Sequence, residues 1–246
     1  MASFGWVDVT KKAEEKAINL RRFFEVAKLD LIDKLKIPGI VFRRTDANVT
    51  SDYSLAAWAQ KARIEARKHK LSPINIRRLE LAIPKIREMT VEDPVIFCGE
   101  LIKLFSKNGI ALAFLPHIGG SFLHGATFFD SDHIVMGLTV RGKDADEFWF
   151  SFFHEVCHIV RGHINDGVAT NDEKELEADA FARDILISSD LYKSFVEADC
   201  FTKRCIIDFA NKINIAPGIV LGRLQKETKV PYNKYNELKV KYQISC

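Results

Sequence analysis

Two histidines four residues apart, with a glutamate directly after the first, are the part of this chain best suited to chemistry: Phe152-Phe153-His154-Glu155-Val156-Cys157-His158-Ile159-Val160. On a helix, positions four apart differ by about 40° in direction and about 6 Å along the axis. His154 and His158 can therefore reach one metal ion, and Glu155, about 100° round, flanks that ion as a possible general base. A helical wheel puts Glu147, Ser151, His154, Glu155, His158 and Arg161 on one side. Phe148, Trp149, Phe152, Phe153, Val156, Ile159 and Val160 fill the other. The same wheel describes an ordinary amphipathic helix with a wet polar face, so the motif alone leaves two readings open.

A second stretch, residues 171–187, bears on the choice. It reads as a helix with Asn171 or Asp172 as cap and acids in its first turn. Its apolar stripe is Ala178, Phe181, Ala182, Ile185 and Leu186. Glu175 points along that stripe, whereas Glu173 and Glu177 point to the opposite, solvated side. A carboxylate facing a core is costly unless it is paired or bound to a metal. One answer is a Lys or Arg partner at the core edge. The other is a metal: His154, His158 and Glu175 make a two-His-one-Glu set with an open fourth position, a common catalytic zinc arrangement. Asp179, one turn further on the same face, is placed to accept the remaining N–H of a liganding histidine and fix its tautomer. Ligand type favours Zn2+ over manganese or iron.

H-E-x-x-H followed by E-x-x-x-D resembles the ligand pattern of gluzincin-type metallopeptidases. The shorter form Glu175-Leu176-Glu177-Ala178-Asp179-Ala180-Phe181-Ala182, after a loop of sixteen residues, is similar to that of the ImmA/IrrE family. The flanks 134–141 and 148–153 resemble that family's strand and helix entry. Residues 215–225 resemble the C-terminal signature of members fused to Xre-type helix-turn-helix regulators. The resemblance covers roughly residues 95–228. It departs at Cys157, where the family usually carries Gly; the thiol is either a packed small side chain or a redox-sensitive point beside a ligand. The resemblance implies a zinc endopeptidase that makes limited cuts in a regulatory protein, a DNA-binding repressor or an antitoxin. The rival from another class is a non-hydrolytic metal-binding regulator or antitoxin module.

The expected fold class is α+β, mostly helical, with a zincin-like catalytic core, the H-E-x-x-H helix and a small antiparallel sheet of about three strands. Helices are expected over 9–26, 30–35, 54–70 and 75–87, the last kinked or broken at Pro84, and over 94–107. Residues 39–51 read as loop. Strands follow at 110–115, 125–129 and 133–140, with Asp130-Ser131-Asp132 turning between the last two. Ile134–Thr139 is the candidate open edge for an extended substrate. Helices return at 191–197, 202–213, 217–227 and 233–242. The pair 205–212 and 218–225 has a helix-turn-helix outline, but its second helix is too apolar to read bases and is expected to pack on the core. This divides the chain into a helical region 1–93, a metallopeptidase core 94–200 and a helical region 201–246.

His124, His133, Arg141 and Tyr192 are candidates to stabilise a developing oxyanion. His163 follows His158 by five residues, the wrong register for a third histidine ligand, and is expected beyond the helix end. Net charge is +3, divided as +7 over residues 1–110 and −4 over the remainder. Direct nucleic-acid binding is not expected from so modest a split, and the basic end of the helix 54–70 reads as a solvated face. Five cysteines without a C-x-x-C pair suggest neither a disulfide framework nor a Cys-zinc site, and a cytoplasmic setting fits. No secretory signal is read at the N-terminus, and no run approaches the roughly 18–20 apolar residues of a membrane span.

Overall fold

A computed structural model describes residues 1–34, 50–118, 124–139, 144–164 and 171–242. The expected loop 39–51 lies, but for its last two residues, outside them. Nine helices and three strands occur among the described residues. They are α1 (Ala13–Phe24), α2 (Thr50–Ala66), α3 (Ile76–Glu88), α4 (Pro94–Ser106), α5 (Ala145–Val160), α6 (Asp172–Leu186), α7 (Ser189–Glu197), α8 (Lys203–Lys212) and α9 (Pro217–Lys226), with β1 (Ile110–Leu115), β2 (Gly125–Asp130) and β3 (His133–Thr139). Helix α3 runs through Pro84 without a break, and the expected helix over 233–242 is only a short 3-10 turn, Asn236–Leu238.

The sheet is mixed rather than antiparallel. Its order is β1-β3-β2, with β1 parallel to β3 and β2 antiparallel to it. Strand β3 is therefore central and not the open edge expected for it; the edges are β1 and β2. Ile134-Val135-Met136-Gly137-Leu138 is apolar at every position, as a strand covered on both faces must be, and the edge strand β1 shares that character. Strand alternation sorts the rest. Ala111, Leu115, Ala126, Phe128 and Val135 face α2, whose Trp58, Ala59 and Ala62 cover them. Ile110, Leu112, Ile134, Met136 and Leu138 join α4 and α5 in the larger cluster, which runs from Leu79 to Tyr242 and draws on all three expected regions. The basic end of α2 is neutralised: Arg63 and Arg67 both pair with Asp130, and Arg67 also with Glu25.

Two sets of contacts fix the helices that carry the motifs. The N-terminal end of α5 is held by the segment 239–242. The amide of Ala145 donates to Val240 O, Lys241 pairs with Asp144 at 3.0 Å, Lys239 pairs with Asp146 at 2.9 Å, and Trp149 Nε1 donates to Tyr242 Oη. The C-terminal carbonyls of α6, which have no partners within the helix, are taken by arginines. Arg87 donates to Ile185 O and Leu186 O, and Arg223 to Ile187 O. Helix α9 meets α8 at 119° but buries Ile219, Val220, Leu221 and Leu224 in the core, so the helix-turn-helix outline packs inward. No described helix is long and apolar enough to cross a membrane alone. Among the described residues a disulfide, Cys200–Cys205, spans the start of α8, a pairing the cysteine pattern did not indicate; the turn into the helix brings the two Cα atoms to 6.1 Å.

Candidate metal centre

Helix α5 is amphipathic in the way the wheel describes, and its polar side opens on a cavity of about 680 Å³. Glu147, Ser151, His154, Glu155 and His158 all line it, facing α9 across the gap, while β2 contributes Gly125, Ala126 and Thr127. On the apolar side of α5, Trp149, Phe152, Phe153 and Val156 are fully buried, and Val160 at the helix end is half-buried.

The structure brings His154, His158 and Glu175 together as a group able to hold a metal ion. The two Nε2 atoms face the Glu175 carboxylate, each nearest a different oxygen. The two Nε2 atoms are 3.0 Å apart, Glu175 Oε2 is 3.2 Å from His154 Nε2, and Glu175 Oε1 is 3.5 Å from His158 Nε2. Asp179 Oδ1 lies 2.9 Å from His154 Nδ1. Donating that Nδ1 proton to the carboxylate leaves the lone pair of Nε2 for the centre. Burial opposes charge on His154, but its hydrogen bonds to Asp179 and Glu175 and the nearby Glu155 outweigh burial and lift its pKa to about 9. His158 is pushed down to about 4, by burial and then by the charge on His154. The cluster thus holds one proton on His154 and leaves His158 neutral.

Glu155 is buried and accepts a 2.6 Å hydrogen bond from Thr127 Oγ1 of β2. Burial raises its pKa to about 7, against the opposing effects of His154 and the Thr127 hydroxyl. Gly125 makes room for it: a Cβ there would stand 2.8 Å from Glu155 Cγ.

Two side chains depart from the expectation. His163 does lie past the end of α5, but the chain turns it back. Gly162 takes φ 70°, its amide donates to Ile159 O, and the amide of His163 donates to His158 O, which is the Schellman pattern. The His163 ring is buried with Nδ1 3.0 Å from His158 Nδ1. Glu177 is not simply solvated: one carboxylate oxygen lies 3.2 Å from His163 Nε2 and the other 3.2 Å from Arg161 Nε. The signal in the sequence is Gly162 itself, since a glycine just past a helix folds the next residue over its last turn.

Of the oxyanion candidates, His124 lines the cavity, His133 does not, and Arg141 lies outside the described residues. Tyr192 Oη donates to Glu227, and its ring lies under the Arg223 guanidinium. Cys157 is fully buried, and burial pushes its thiol up to about 12, which leaves it an unreactive packed group. Comparison with protein-family models, curated proteins and solved structures finds no match.

Proposed function

We propose that this chain is a zinc endopeptidase with a zincin-like core of the ImmA/IrrE type, making limited, site-specific cuts in a cytoplasmic repressor or antitoxin. The observation that carries this reading is the grouping of two Nε2 atoms and a carboxylate beside a buried glutamate, at the wall of an open cavity. Zinc fits the donor set. A tetrahedron with bonds of about 2.0–2.1 Å has edges of about 3.3 Å, close to the 3.0 Å between the two Nε2 atoms and the 3.2 Å from His154 Nε2 to Glu175 Oε2. Both imidazoles also have their second nitrogen engaged, which leaves Nε2 as the ligating atom.

His154, His158 and Glu175 would hold the ion. Bound zinc supplies a water that is nucleophilic near neutral pH and polarises the scissile carbonyl. Glu155 takes the proton of the attacking water and returns it to the leaving amine, a task that suits a carboxylate whose pKa is raised toward 7. The edge strand β2 offers main-chain groups to an extended peptide lying along the cavity.

The test compares new protein N-termini in cells expressing the chain or its Glu155→Gln form. Termini made only by the parent, with zinc content equal in the two, are expected; cleavage should fall about 10²–10⁴-fold in the variant. Matching sets of termini would favour a non-hydrolytic regulator.

A further inference from the structure

Helix α6 brings three carboxylates to the histidines of α5, and each has a separate place. Glu175 faces Nε2 of both rings, and Asp179 takes Nδ1 of His154. Glu177 stands on the other side of His158 and reaches its Nδ1 only through His163. Proton positions along this line follow from its two ends. If Nε2 of His158 ligates, its Nδ1 carries the proton and donates to His163 Nδ1. His163 Nε2 must then carry its own proton and donate to Glu177, and Arg161 holds that carboxylate at the surface. Every polar atom in the line has a partner, and none is left over for a ligand role by His163.

We propose that His163 and Glu177 are positioning residues for His158, doing through two hydrogen bonds what Asp179 does for His154 through one. They set the ring's rotation and tautomer, and with them the direction in which Nε2 presents its lone pair. The proposal rests on the ligand set given above and is independent of whether a peptide is cut.

Zinc alone is the probe. Affinity is read by competition with a chromophoric chelator, and geometry from the visible bands of the Co(II)-substituted protein. His163→Leu keeps the volume and removes the acceptor; it should weaken zinc about 10–100-fold and shift the Co(II) bands. His163→Asn returns an acceptor oxygen near the place of Nδ1 and should recover most of the affinity. Glu177→Ala, at a half-exposed site, should cost several-fold. A His163→Leu protein with parental affinity and bands would overturn the proposal. So would an Asn variant as weak as the Leu variant, since filling the space would then be the whole role. Glu175→Ala separates the two claims: if it keeps full zinc, the ligand set itself is wrong, whereas if it loses zinc while His163→Leu keeps it, only the positioning role falls.

Discussion

The two faces of the sheet use the same device for different ends. On the α2 face, Gly137 leaves space that Trp58 fills, and a Cβ there would collide with the indole ring. On the α5 face, Gly125 leaves space that Glu155 fills, and a Cβ would strike its side chain. The first glycine lets a wholly buried ring interlock with a central strand. The second lets an edge strand grip a carboxylate, with Thr127 supplying the hydrogen bond. The missing Cβ seats an indole ring on one face and a buried carboxylate on the other.

The comparison breaks most visibly at Trp58. Trp58→Ala leaves a void between α2 and the sheet and is expected to lower stability by about 3–5 kcal/mol, measured by denaturant unfolding, with the zinc affinity of the surviving folded protein unchanged. Glu155 gives the next effect, through pH. Its pKa is about 7 against 4.5 for the free group, so the stability tied to its proton is complete below pH 4.5 and is lost as pH rises through 7. Glu155→Gln does not titrate, so with a chelator present it should gain on the parent by about 3 kcal/mol across that window. Equal gains at pH 4.5 and pH 8 would refute this. The smallest change is Gly125→Ala, where the flexible acid can move aside. The fold and zinc content should persist while cleavage drops about 100-fold, as expected when a reacting group shifts by about 1 Å.

Much of the site was legible in the sequence because it lies on helices. The spacing of His154 and His158, and Glu175 facing an apolar stripe, are local facts of a 3.6-residue period. The strands could be marked almost to the residue, as Ile110–Leu115 illustrates, but their order could not. The connection from β1 to β2 is long enough to permit either neighbour, and the hairpin turn at residues 130–132 fixes only β2 against β3. The uninterrupted apolar run in β3 marks a strand covered on both faces, but β1 is equally apolar, so the run does not decide which of them is central. His163 was discarded by a rule about ligands, yet its place is decided by the left-handed turn at Gly162, which concerns backbone and not metal chemistry. Glu177 was misplaced for a related reason, since its partner comes from that turn.

The grip of residues 239–242 on the start of α5 also has a consequence in time. Asp144 and Lys241 are separated by 97 positions, and Trp149 and Tyr242 by 93. A ribosome making this chain completes the histidine-bearing helix long before it makes the strap that holds the front of that helix. The front of α5 is therefore secured later than the rest of the helix, which packs on β2, β3 and α6, since contacts so distant in sequence close late. The strap is made only after about eighty residues have been added beyond the end of α5, so the front of the helix that carries His154 and His158 is secured last.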